Sequence, residues 1–152
     1  MSTVIFRRAR EKDIEAIVQL LEDDVLGRTR EDASASSANA YRKAFAAIDA
    51  DPNQLLVVAC EADEIIGTLQ LSFIAGLARN GALRGQIEAV RIASSRRRGG
   101  IGKEMIEWAI FECRRRGCRQ VQLTTDKSRT DAHRFYEGLG FAPSHIGYKL
   151  AI

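Results

Sequence analysis

Arg96-Arg97-Arg98-Gly99-Gly100-Ile101-Gly102-Lys103 is the stretch on which the reading of this chain turns. An apolar run, Ile87 to Ile92, precedes it, and a segment with helical spacing, Met105 to Cys113, follows. A strand that enters a Gly-rich turn and reopens as a helix leaves backbone N–H groups unpaired, with the positive end of the helix dipole behind them. Such a turn is an anion site, most naturally for phosphate. Three arginines at the turn are expected to add freely moving positive charge. The stretch reads as a pyrophosphate cradle.

Outward from the cradle, Gln86 to Ile92 is expected as a strand. Its alternation predicts Glu88, Val90 and Ile92 on one face and Ile87, Ala89 and Arg91 on the other. On the far side, Ile106, Ala109, Ile110 and Cys113 line one helix face, ending in Arg114-Arg115-Arg116-Gly117. Cations followed by Gly are the expected helix terminus, so this second arginine run reads as dipole compensation rather than a binding site.

Upstream, Thr3 to Arg8 reads as a strand and Lys12 to Leu21 as an amphipathic helix, with Ile14, Ile17, Val18 and Leu21 at i, i+3, i+4, i+7. Leu26 to Asn39 is polar and reads as a loop. Tyr41, Ala44, Phe45 and Ile48 mark a second helix, stopped by Asp51-Pro52-Asn53. Leu55 to Cys60 and Ile65 to Ile74 read as strands, and Gly76 to Gly85 as a loop. Downstream, a strand around Val121 and Leu123 leads to a short helix marked by Ala132, Phe135, Tyr136 and Leu139 and closed by Gly140. A last strand is expected over Ile146 to Leu150. The predicted class is α+β: a mixed, mostly antiparallel central sheet flanked by about four helices.

The chain has 152 residues, enough for one domain with a real core, expected over 1–152. A net charge of +3 suits an anionic small ligand and falls short of the bias of a dedicated nucleic-acid binder, so no nucleic-acid partner is expected. Cys60, Cys113 and Cys118 form no CxxC pair, and neither His133 nor His145 lies near them, so reduced thiols are expected and no metal site. No apolar run approaches the roughly 18 residues of a membrane span and no signal segment is visible, which predicts a cytoplasmic protein with no membrane partner.

Three phosphate motifs compete for the cradle. A nucleoside-triphosphate P-loop requires Gly where Arg97 stands and Ser or Thr where Glu104 stands. A dinucleotide fingerprint requires a third Gly where Met105 stands. The pattern R-x-x-G-x-G leading into an amphipathic helix is matched by Arg97, Gly100 and Gly102. With Phe135-Tyr136-Glu137-Gly138-Leu139-Gly140-Phe141 about thirty residues later and the order of elements, the chain resembles the GCN5-related N-acetyltransferase (GNAT) family over essentially its whole length.

The resemblance implies transfer of the acetyl group of acetyl-CoA directly to a primary amine of a small-molecule acceptor, with no acyl-enzyme and no metal. It implies that the amides of Arg97, Arg98, Gly99, Gly100, Ile101, Gly102 and Lys103 hold the coenzyme pyrophosphate. Val90, Arg91 and Ile92 would hold the pantetheine arm and polarise the thioester carbonyl. Glu88 matches the position of a carboxylate base in some members, and Tyr136 the general acid that protonates the thiolate. Arg129 stands where many members carry a coenzyme-contacting Asn and is expected to meet a coenzyme phosphate or face water. Some likeness to the aminoalkylphosphonate acetyltransferase subgroup lies in Asp131 to Tyr136 and Ser144-His145. It would make Arg79, Arg84, Arg91 or His145 a contact for an anionic amine. Against that, Asp23, Asp24, Glu31 and Asp32, in or beside the loop over the acceptor site, favour a cationic amine. The acceptor's charge stays open on sequence alone. A protein or peptide N-acetyltransferase and an acetyl-CoA-binding regulatory module without turnover are the alternatives. The family's habit of dimerising makes the apolar segment Gly147 to Ile152 a candidate for pairing between two copies.

Overall fold

The structure, a computed structural model, describes residues 3–24, 26–31, 34 and 37–152. Five strands form one sheet in sequence order: β1 (Val4–Arg8), β2 (Gln54–Glu61), β3 (Glu64–Ile74), β4 (Arg84–Ile92) and β5 (Gln120–Leu123). β1 to β4 are antiparallel neighbours, and β5 joins β4 in parallel. Four helices flank them: α1 (Ile14–Glu22), α2 (Ala38–Ala50), α3 (Ile101–Arg115) and α4 (Thr130–Gly138). The mixed, mostly antiparallel sheet expected from the sequence is the architecture observed.

Alternation along β2 and β3 divides the core into two layers. Val57, Leu69, Leu71 and Ile87 pack against Ile101, Met105, Ile106, Ala109 and Cys113, the inner stripe of α3. On the opposite face Val58 and Cys60 pack with Ile17, and Leu21, Phe45, Leu56 and Ile65 close the layer beneath α1 and α2. Gly85 is where α3 comes closest to the sheet: a Cβ there would lie 2.4 Å from the Cys113 sulfur. α1 is fixed at its entry by Asp13, whose buried carboxylate accepts from the Arg7 guanidinium of β1 at 2.6 Å and from the Arg10 backbone N–H at 2.8 Å.

Several local expectations change. Glu11–Asp13 is a tight 3₁₀ turn, so α1 starts at Ile14 rather than Lys12. The expected loop from Leu26 to Asn39 contains a second such turn, Gly27–Thr29, and the first residues of α2. In the expected loop after β3, Ala78–Gly81 forms a turn with Arg79 and Asn80 in the left-handed region, and Arg84 already belongs to β4. The expected last strand is not formed: residues 141–152 pair with no strand among the described residues. Ile146, Tyr148, Leu150 and Ile152 are all strongly exposed, so the alternation that predicted a strand lacks a partner surface.

The change that matters most for function lies in β4. Thr68 pairs with Arg91 and Gln70 with Glu88, so Ala89 and Val90 together oppose the single residue Leu69. This is a β-bulge, with Ala89 at φ 52°. The extra residue resets the alternation. Val90 and Ile92 stay with Ile87 on the α3 layer. Glu88, opposite Gln70, and Arg91, opposite Thr68, lie on the α1–α2 side, because directly paired residues share a face. Glu88 therefore does not share a face with Val90 and Ile92 as the simple period of two predicts; it shares one with Arg91.

Candidate active site

The cradle follows a short 3₁₀ turn, Ser94–Arg96. Arg98 at φ 67° and Gly100 at φ 85° bend the backbone twice through the left-handed region before α3 begins. The consequence is a run of donors. The amides of Arg96 and Arg97 close the preceding turn and that of Glu104 starts the helical ladder, while the six N–H groups from Arg98 to Lys103 find no acceptor among the described residues. Successive unpaired amides in such a bend form a concave anion nest, reinforced by the dipole of α3. The space beside Gly100 is open, since a Cβ there would meet nothing within 4 Å. A diphosphate fits this surface.

Among the described residues, two of the three cradle arginines are engaged. Arg96 forms an ion pair with Glu61 at the end of β2. Arg97 donates from Nε to the Ile92 carbonyl at 3.2 Å and from Nη2 to the Asp23 carbonyl at 3.0 Å, tying the cradle to β4 and to the end of α1. Arg98 has no side-chain partner among the described residues and remains available to a phosphate. Lys103 lies 3.8 Å from Glu107 on the exposed face of α3. The freely moving charge expected of the trio thus reduces to Arg98, because the other two brace the turn.

β5 stops short of the end of β4. The parallel ladder ends at Ile87 with Leu123, so residues 88–92 have no strand on that side. This open wedge between β4 and β5 exposes strand backbone that an extended amide-bearing chain can pair with. Some acceptors there are already taken: the Val90 carbonyl accepts from Arg91 Nη1 at 2.8 Å, and the Ile92 carbonyl accepts from Arg97.

α4 packs beside the first turn of α3: a Cβ on Gly102 would stand 3.9 Å from the Ile92 side chain and 3.6 Å from the Phe135 ring. The next residue, Tyr136, is half-buried between Phe135 and Phe141, with ring centroids at 5.1 and 5.9 Å. Its hydroxyl has no hydrogen-bond partner among the described residues. Burial raises its pKa above the ordinary phenol value, an effect partly offset by the nearby charges of Arg91 and Arg129. A phenol in this setting keeps its proton at neutral pH and can give it to a stronger base.

On the α1–α2 side of β4, three residues far apart in sequence meet. Asp24 accepts from Arg129 Nη1 at 3.1 Å and closely from Arg129 Nη2, faces Arg91 Nη2 at 3.6 Å, and accepts from the Gly27 N–H at 3.2 Å. Gly27 must be glycine for this turn, since a Cβ would fall 1.9 Å from the Leu21 carbonyl oxygen. Burial pushes the Asp24 carboxyl up. The Arg129 hydrogen bonds, the Arg91 and Arg129 charges and the Gly27 N–H together outweigh it and hold Asp24 below the usual carboxylate range. Arg91 is shifted down, first by burial and then, against the pull of Asp24, by the positive charges of Arg129 and Arg30. Its Nε is buried with no partner.

Among the expected site residues, the structure brings together the cradle amides, the β4 segment Val90–Ile92 and Tyr136, and it sets Glu88, exposed and without a side-chain partner among the described residues, on the face it shares with Arg91. Arg129 is engaged by Asp24. Arg79 and Arg84 sit at the opposite end of β4, hydrogen-bonded to Gln120 and Gln122. His145 is exposed and bonded to the Ser144 hydroxyl. Asp32 lies outside the described residues. Sequence reasoning missed the pairing of Asp24 with Arg129, 105 positions apart, for which no local pattern exists.

The Acetyltransferase (GNAT) family profile matches residues 14–141. The chain belongs to this family. Among GNAT relatives, the aminoalkylphosphonate N-acetyltransferase of Salmonella typhimurium strain LT2 is 32% identical over 113 residues, covering 74% of this chain and 73% of the relative. A solved structure of a transcriptional regulator from Bacillus halodurans C-125 is 47% identical, covers 99% of this chain and 100% of its own, and superposes with a TM-score of 0.96. The fold extends to a distant GNAT structure, an aminoglycoside N-acetyltransferase in complex with CoA, at 16% identity and a TM-score of 0.81, covering 100% of this chain and 96% of that one. No helix among the described residues is long and apolar enough to cross a membrane.

Proposed function

We propose that this GNAT chain transfers the acetyl group of acetyl-CoA directly to a primary amine of a small-molecule acceptor. The observation that carries the reading is the run of six amides from Arg98 to Lys103, unpaired among the described residues, in a turn whose Gly102 lies against Phe135 of the helix that bears Tyr136. The amides and the Arg98 guanidinium hold the diphosphate. The open β4 edge at Val90, Arg91 and Ile92 holds the pantetheine arm in the wedge before β5.

Acetyl-CoA supplies an acetyl thioester at the mouth of that wedge. Glu88 receives the proton that the amine loses as the new C–N bond forms. An ordinary carboxylate is too weak a base to strip an ammonium directly, so the proton travels through water. Tyr136 gives its phenolic proton to the sulfur as the C–S bond breaks, and solvent restores the proton to Tyr136 and removes it from Glu88. Arg91 and Arg129, held by Asp24, stand on the acceptor side of the same strand.

The test is thiol release from acetyl-CoA across phosphonates, amino acids, polyamines, aminoglycosides and peptides, with thermal stabilisation by acetyl-CoA measured in parallel. Release with a small amine is expected. Silence with every amine, and no stabilisation by acetyl-CoA, would defeat the reading. The name of the Bacillus relative favours a second reading, a regulatory module that binds acetyl-CoA without turnover. In that case Tyr136→Phe and Glu88→Gln would change nothing in the cell, while a substitution at Gly100 would.

We propose also that the chain acts as a homodimer. Ile146, Tyr148, Leu150 and Ile152 alternate along an extended segment with 69%, 91%, 87% and 118% of their surface exposed. No backbone hydrogen bond from residues 145–152 is made among the described residues, and β5 is paired on one side only. A reciprocal exchange, in which each copy lends this segment to the other's β5 edge, satisfies both deficits. Light scattering on the wild type and on Tyr148→Asp/Leu150→Asp checks it: a dimer becoming a monomer is expected, and a wild-type monomer at high concentration would reject it.

A further inference from the structure

We infer that the acceptor carries a compact oxyanion, a carboxylate or phosphonate, and that this group binds Arg91 and Arg129 by taking the place held in the empty enzyme by Asp24. The inference rests on the acetyl-transfer reading of the same site and names its substrate class.

Four observations carry it. Two guanidiniums converge on a single carboxylate, so Arg91, Arg129 and Asp24 by themselves carry one more positive charge than negative in a poorly hydrated setting. Arg30 adds a cation nearby, and Glu31 and Asp126 add carboxylates that act on Arg91 and Arg129 without forming an ion pair with either among the described residues. Second, Arg91 is under-used. Its Nη1 serves the Val90 carbonyl, its Nη2 lies 3.6 Å from Asp24, beyond a good hydrogen bond, and its Nε is buried with no partner. An unpaired buried donor is costly, and an anion that reaches it is bound correspondingly well. Third, the fork of Arg matches the paired oxygens of a carboxylate or phosphonate.

Fourth, the bulge at Ala89 places Glu88 and Arg91 on one face of β4, opposite Gln70 and Thr68, and so about 7 Å apart along the strand at roughly 3.3 Å per residue of β3. A short acceptor with an ammonium at one end and an oxyanion at the other lies along this face with its oxyanion on the arginines and its amine turned toward Glu88 and the thioester. Asp24, on the segment that follows α1, is the internal stand-in for the oxyanion. It keeps the two cations apart from bulk water until the acceptor arrives.

The experiment compares near-isosteric acceptors: 3-aminopropanoate and 2-aminoethylphosphonate against 3-aminopropanamide and propylamine. Wild type is expected to show kcat/KM at least tenfold higher for the anionic pair, carried mainly by KM. Arg91→Gln and the more exposed Arg129→Gln are each expected to bring that ratio close to one. The carboxylate and phosphonate arms decide which oxyanion is preferred. A second readout needs no turnover: inorganic phosphate should raise the melting temperature of Asp24→Asn more than that of wild type, because the competing carboxylate is gone while the cradle is the same in both. A wild-type ratio near one, arginine variants that lower anionic and neutral acceptors equally, or equal phosphate shifts in the two proteins would each overturn the inference. No thiol release with any amine, combined with the larger phosphate shift in Asp24→Asn, would instead refute acetyl transfer and leave the anion subsite standing.

Discussion

On the proposed reading, the two sides of β4 recognise charge in opposite ways. On the coenzyme side the donors are backbone amides of consecutive residues, Arg98 to Lys103, held ready by two left-handed φ angles and left unpaired. On the acceptor side the donors are guanidiniums from β4 and from the start of α4, gathered by a carboxylate that follows α1 and already engaged. A backbone nest can hold only what is common to all its ligands, and a diphosphate is common to every turnover. A side-chain cluster with its own counter-ion discriminates, since a ligand must outcompete Asp24. The proposed division gives the constant substrate the fixed surface and the variable substrate the exchangeable one.

The contrast breaks most sharply at the residue both sides share. Tyr136→Phe is expected to lower kcat by ~10²–10⁴-fold with any acceptor, because proton delivery to sulfur is common to all; steady-state kinetics with an anionic and a neutral amine checks that both fall together. Next in size is the scaffold of the acceptor side. Asp13→Ala leaves the Arg7 guanidinium without its partner and is expected to cost about 3 kcal/mol of folding stability, read by urea denaturation. Gly100→Val sharpens the coenzyme side: its φ of 85° disfavours a branched residue by about 1–3 kcal/mol. The expected result is a raised KM for acetyl-CoA with the preference among acceptors intact.

The smallest effect is acid sensitivity. The folded-state pKa values of Asp24 and Asp13 lie below their unfolded values. Both contribute stability that is present above the ordinary Asp pKa of about 4 and is lost as pH falls through the lowered folded values. Melting temperature measured from pH 7 to pH 3 should stay level and then drop, and Asp24→Asn should shallow the drop.

The coenzyme side was legible in sequence because its information is local. Arg97, Gly100 and Gly102 lie within six positions, and the glycines are there for the turn they make. The sheet was legible too, since β2 is a β-rich run apolar on both faces and β3 alternates from Thr68 to Phe73. The acceptor side was not. Ala89 adopts a positive φ without a Gly or Asn to mark it, so the alternation through Glu88 was carried one residue too far. Asp24 read as one acid among several, and its neutralisation by Arg129 depends on how α1 and α4 converge on β4. The segment from Ile146 onward has the pattern of a strand, but a strand is a paired object, and pattern alone does not supply the pair.

The bulge in β4 also bears on how such a protein can change. Beyond the bulge the strand runs in the phase it would have if Ala89 were absent, because the bulge takes up that one additional residue. Replacing Arg91 or Glu88 is expected to alter which amine is welcomed and to leave the frame as it was. Removing Ala89 would close the bulge and leave Val90 opposite Leu69 and Arg91 opposite Thr68, so the core face and the face of Arg91 would keep their sides while the left-handed kink is lost. This strand can therefore lose a residue at Ala89 without turning its side chains over.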